Sequence, residues 1–139
     1  MSKTIADAVA RVQALVGAID GITSAPTTLP GKLSRFPTAI IYPGPGTWTT
    51  VADAVKRFEG ELTLELHVPS GDLGRESDKL LGYVESVVNE LADDPTLNNT
   101  VQTIQWPIRF DGLVGRVWNG VETLAYVWHI PIRMENTIT

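Results

Sequence analysis

Residues 61–68 read Glu-Leu-Thr-Leu-Glu-Leu-His-Val, and this alternation constrains the fold more than any other feature of the chain. A period of two over eight residues is the signature of a β-strand, whose successive side chains point to opposite faces. Leu62, Leu64, Leu66 and Val68 then face a core, and Glu61, Thr63, Glu65 and His67 form a polar row on the other side.

Two segments show helical spacing instead. In residues 4–19, Ile5, Val9, Val12, Val16 and Ile19 recur at intervals of three and four, flanked by Ala8 and Leu15. That stripe predicts an amphipathic helix. Thr4 with Asp7 has the form of a capping box, and Gly21 offers a stop. Residues 21–36 are rich in Thr, Pro and Gly and read as a connection with at most one short edge strand. A second helix follows the alternating strand, with Pro69-Ser70-Gly71-Asp72 as the break and Asp72 as its cap. Its stripe is Leu73, Leu80, Leu81, Val84, Val87, Val88 and Leu91. Gly82 within it costs about 1 kcal/mol relative to Ala, which is tolerated drift or marks the close approach of another backbone. Asp93-Asp94-Pro95 ends the helix, and Asn98-Asn99 suits a turn with left-handed backbone.

The remaining strands are marked by apolar runs between breakers. Thr38-Ala39-Ile40-Ile41-Tyr42 reads as a buried strand that stops at Pro43-Gly44-Pro45-Gly46. Residues 101–110 and 120–134 read as two more. In the last, Leu124, Tyr126, Trp128, Ile130 and Ile132 alternate with Thr123, Ala125, Val127, His129 and Pro131. Both rows are nearly uncharged, so this strand should be covered on both faces. The segment between them, with Gly112, Gly115 and Gly120, reads as a long hairpin arm. Leu64, Leu66, Val84, Val88, Tyr126, Trp128 and Ile130 are expected at the centre of the core.

The chain has 139 residues, 43% of them hydrophobic and 19% charged, which fits one globular domain with one core. A net charge of -5 argues against gripping nucleic acid by charge. Cysteine is absent, which excludes disulfide scaffolds, thiolate catalysis and cysteine metal sites. Asp7 and Arg11 interrupt the place where a signal peptide would be apolar, and no apolar run, residues 39–42 included, approaches the length of a membrane helix. The expectation is a soluble protein, made and used inside a cell, with no membrane association.

Motifs that carry chemistry are scarce. His67 and His129 lie on separate predicted strands without metal-ligand spacing, so satisfied or solvent-facing imidazoles are the simpler reading. Glu65 and His67 share a face two residues apart and could orient a general base, but no nucleophile or third partner stands out. Pro43-Gly44-Pro45-Gly46 is a poor phosphate cradle because its prolines donate no amide. Asp93-Asp94 supplies too few oxygens for a calcium loop. No catalytic, cofactor-binding or metal-ligating residue is therefore expected. Trp106 and Trp128 are expected in the core, whereas Trp48 and Trp118 fold back on the domain or face a partner.

The order of these elements resembles the siphophage tail terminator (tail-completion) family across nearly the whole chain. The resemblance is carried by the opening helix, the Pro-flanked strand ending Ala39-Ile40-Ile41-Tyr42-Pro43, and the alternating strand followed by Asp72 and a helix. Asp94-Pro95-Thr96-Leu97 with its small-residue turn and Val101, and the final strand from Val121 through Tyr126 to Ile132, complete it. The resemblance implies an α/β (α+β) domain over residues 1–139, with an antiparallel or mixed sheet of about four to five strands packed against two helices. It also implies a structural virion protein, not an enzyme, assembled in the host cytoplasm as a homo-oligomer, a hexameric ring. That ring ends polymerisation of the tail tube and docks the head-tail connector or stopper protein, while DNA passes without specific binding. Glu61, Glu65 and His67 would then line the lumen, unless that face is merely solvated. Extended loops near residues 43–58 and 110–120 are expected to carry contacts through Trp48, Val51, Phe110, Leu113, Val114 and Trp118. Two alternatives stay open: another neck protein (head-completion stopper or head-tail adaptor), or a small ligand-binding or hydrolytic α/β domain using Glu65 and His67.

Overall fold

A computed structural model describes residues 4–22, 25–26, 36–69, 73–118 and 120–138, without the side chains of residues 69, 73–80, 118 and 121. The elements follow in the order α1 (Ile5–Gly17), β1 (Thr38–Ala52), β2 (Val55–Pro69), α2 (Leu73–Ala92), β3 (Thr103–Ile104), β4 (Arg109–Trp118) and β5 (Val121–Thr137). The five strands form one antiparallel sheet, and with two helices the chain is an α+β fold. Strand β5 lies at its centre. It pairs with the whole of β2 on one side, and with β3 and β4 in succession on the other. Strand β1 pairs with β2 and forms the far edge.

Helix α1 begins as its sequence dictates. The Thr4 hydroxyl accepts from the Asp7 amide, and the Thr4 amide donates back to the Asp7 carboxylate at 2.8 Å. Ala8, Val12 and Val16 are its buried stripe, with Ile5, Val9, Leu15 and Ile19 at the margins. Gln13 is buried too, its amide donating to the Pro26 carbonyl. From α2, Tyr83, Val87 and Leu91 enter the core, and Val84 and Val88 pack beside them rather than at the centre. Leu81 turns outward and is exposed. A Cβ on Gly82 would meet nothing within 4 Å, so no backbone of the described residues approaches there. The Asp72 cap and the side chains of Leu73 and Leu80 lie outside the described residues.

The turn after α2 closes as its asparagines predict: Leu97, Asn98 and Asn99 have φ of 46°, 55° and 64°. Asp94 holds it, accepting from the Asn98 amide at 2.9 Å and from Arg11 of α1 at 2.8 Å. One carboxylate thus ties the first helix to the end of the second. The same contacts, against the opposing pull of desolvation, keep the Asp94 carboxyl below its usual range.

On the helix side of the sheet, Leu62, Leu64, Leu66, Tyr126, Trp128, Ile130 and Ile132 form the core expected of them. Both rows of β5 are covered, also as expected: Ala125, Val127 and Thr123 are buried on its other face. Four expectations need correction. First, the polar row of β2 is not solvated, since Thr63, Glu65 and His67 are buried. Second, β1 does not stop at Pro43. A register shift between Pro43 and Gly46 inserts one residue as a bulge, and the strand runs on to Ala52 beside β2. An edge strand tolerates this because a proline there removes no obligatory ladder bond. Residues 43–58 are consequently a strand pair, not a loop, and 110–118 lie in β4. Third, residues 101–110 are not one strand: the short β3 ends at Ile104, and Arg109 opens the separate β4. Fourth, Trp106 is 55% exposed in the connection between them instead of in the core.

Gly46 sits opposite Gly60, and the ring of Phe58 covers both. A Cβ on Gly46 would come within 2.8 Å of the Gly60 Cα as well as striking Phe58, so this crossing requires glycine on both strands.

Candidate functional site

Glu65 and His67 lie two residues apart on β2, and alternation alone puts them on one face. Their exposures are 3% and 0%. His67 Nε2 is 2.8 Å from Glu65 Oε1, and His67 Nδ1 is 2.7 Å from Thr123 Oγ1 on β5. The other Glu65 oxygen accepts from the Tyr42 hydroxyl of β1 and lies 3.5 Å from Arg116 Nε of β4. Three strands therefore converge on one carboxylate, and β5 joins them through Thr123 and His67. Burial by itself would raise the Glu65 pKa. The hydrogen bonds from His67 and Tyr42, with the electrostatic pull of His67 and Arg116, overcome it and leave the carboxyl below its ordinary value. The Tyr42 hydroxyl moves the other way, raised by burial and by its bond to the Glu65 carboxylate.

Thr123, His67 and Glu65 have the atom order of a nucleophile, a base and its orienting acid. The geometry closes them in, because Thr123 is buried with the other two. What the arrangement does is satisfy buried polar groups and fasten β1, β4 and β5 to β2. Sequence reasoning found the Glu65–His67 pair and missed Tyr42, Arg116 and Thr123. These come from other strands, and their placement depends on register. The one available signal was Thr123, a hydroxyl in a strand whose rows are otherwise almost apolar.

As lumen-facing candidates, Glu65 and His67 are corrected by the same burial. Of that row Glu61 reaches the surface, close to His129, whose Nδ1 is 3.5 Å from Glu61 Oε1. His129 Nε2 is 2.7 Å from Asp111, which also pairs with Arg109. The bond from His129 holds the Asp111 carboxyl below its usual range. Among the described residues no group of three His, Asp or Glu side chains is placed to hold a metal ion.

The interface candidates lie where the sheet ends. Trp48, 45% exposed, leans on Phe58 with ring centroids 5.0 Å apart and carries Lys56 Nζ 5.1 Å above it. Val51 is exposed further along the same strand. On β4, Phe110 packs its ring 5.2 Å from that of Trp128 yet stays exposed, and Leu113 is 40% exposed. Val114 is half-buried, and the Trp118 side chain lies outside the described residues. Val117 was not anticipated and is strongly exposed. Its signal was present in the period of two that sets Leu113, Gly115 and Val117 against Val114 and Arg116.

No helix among the described residues is long and apolar enough to cross a membrane. Compared with known proteins, the chain matches no family model and no curated protein sequence.

Proposed function

We propose that this chain is a structural subunit of a phage neck, a tail-terminator-like protein that assembles as a homo-oligomeric ring at the head-proximal end of the tail tube. In this reading it ends tube polymerisation and offers the docking surface for the head connector. One observation carries the reading beyond the order of elements. The two margins of the sheet, β1 and β4, hold Trp48, Val51, Phe110 and Leu113 on ordered strands with their apolar surface exposed. Large exposed aromatic and aliphatic groups at ordered edges are what a subunit interface presents before its partner arrives. The net charge of -5 suits a passage that DNA must cross without sticking, and within the polar row of β2 Glu61 is the residue left to face it.

Trp48→Ala and Leu113→Ala test the proposal. Both side chains are partly in solvent, so the folded monomer should lose no more than about 1 kcal/mol in urea unfolding. Ring formation, followed by size-exclusion chromatography with light scattering, should weaken, and so should tail joining. Normal rings and infectious, correctly terminated particles from both variants would remove these edges as the interface.

A further inference from the structure

The sheet has two outer margins, and among the described residues no strand pairs with either. Exposed edges are normally guarded by charges, prolines or bulges, because an open ladder recruits another strand. In β1 the guards are Pro43, Pro45 and the bulge between Pro43 and Gly46, with a second register shift between Thr50 and Ala52 at its far end. Beyond Gly46 there is neither proline nor charge, and the whole of Thr38–Ala52 contains no charged residue.

Strand direction decides which second edge can meet this one. From β1 through β2 and β5 to β4 there are three antiparallel steps, so β1 and β4 run in opposite directions. A rotation carrying one copy onto the next in a ring preserves strand direction, so β4 of one copy meets β1 of the next as an antiparallel pair. Pairing β1 with β1, or β4 with β4, needs a two-fold axis and stops at a dimer.

The faces also agree. After its bulge, β1 places Trp48 opposite Phe58, on the helix side of the sheet. On β4, Leu113, Gly115 and Val117 lie opposite Tyr126, Leu124 and Glu122, which is that same side. A Cβ on Gly115 would meet nothing within 4 Å, so a glycine floor lies open between two exposed aliphatic side chains. Elsewhere in this chain such a floor is covered by an aromatic ring, where Phe58 lies over Gly46 and Gly60.

We infer that β4 of one subunit takes the distal half of β1 of a second copy as an added antiparallel strand, with the second copy's Trp48 seated over Gly115 between Leu113 and Val117. This rests on the ring reading above and names its contact. Trp48 opposite Gly115 sets Thr50 opposite Leu113. With the register shifts between Thr50 and Ala52 and between Phe110 and Gly112, the exposed Asp53 at the β1–β2 turn falls opposite Phe110, beside the exposed Arg109 of opposite charge. The neutral stretch of β1 opposes no like charge anywhere along β4.

The cysteine-free chain allows a clean test. Thr50→Cys and Leu113→Cys are made as separate full-length variants and oxidised mildly, alone and mixed. The mixture should give a covalent dimer on a non-reducing gel, and neither variant alone should. Gly115→Phe fills the seat. It should leave monomer unfolding unchanged and weaken association about tenfold or more, as should Trp48→Ala. Either cysteine variant cross-linking alone as readily as the mixture means a two-fold contact and overturns the inference. Rings that form without mixed cross-links, or that tolerate Gly115→Phe, overturn this contact and leave the ring reading standing. A wild-type chain that stays monomeric at every concentration overturns both.

Discussion

Over residues 62–67 both faces of β2 are hidden from solvent but held there differently. Leu62, Leu64 and Leu66 disappear beneath α1 and α2 by apolar packing, which needs volume and no particular partner atom. Thr63, Glu65 and His67 disappear on the opposite face, where hidden charge is tolerable only if specific atoms of neighbouring strands meet it. The contrast teaches that alternation reports the chemistry of each face of a strand, not whether that face is covered.

Mutation should separate the two kinds of burial. Leu66→Ala leaves a cavity in a close-packed layer and should cost about 2 to 5 kcal/mol in chemical unfolding. A value near zero would show that the leucine face is loosely filled. On the polar face, Glu65→Gln keeps shape and removes charge, so Tyr42, His67 and Arg116 lose a charged acceptor, for about 1 to 3 kcal/mol. The same carboxylate makes that face sensitive to acid. Its proton is held less tightly in the folded chain than in the unfolded one, so its stabilisation is complete at neutral pH. It fades as pH falls through and below the usual carboxylate range. Wild type should therefore lose more stability between neutral and acid pH than Glu65→Gln, and parallel curves would contradict the role given to Glu65. The smallest effect belongs to Thr123→Val, which deletes the 2.7 Å contact with His67 but keeps the β-branched shape, at about 1 kcal/mol.

The sequence carried the helices and the core well, because their signals are local. Thr4 and Asp7, the stripe of Ala8, Val12 and Val16, the Asn98–Asn99 turn and the leucine row each depend on residues a few positions apart. What stayed hidden depends on pairing between distant segments. That β1 survives its prolines follows from its place at the edge of the sheet, which no local pattern states. Trp106 carries the hydropathy of a core residue, but the strand expected to bury it ends at Ile104. Glu65 and His67 looked like a solvated row because their coverage comes from Tyr42, Arg116 and Thr123, at separations of 23, 51 and 56 residues for the contacts they make.

The central position of β5 has a consequence in time. Of the elements described, this strand leaves the ribosome last, yet β2, β3 and β4 all pair with it. Until it emerges, the β1–β2 hairpin can form only as an isolated ribbon, and such ribbons are marginal in water. Joining Val55 to Thr137 then closes a loop of most of the chain, which makes for slow folding. During synthesis the edge of β2 that β5 will take must wait unpaired, so a nascent chain halted before Val121 exposes a ladder that the finished sheet protects.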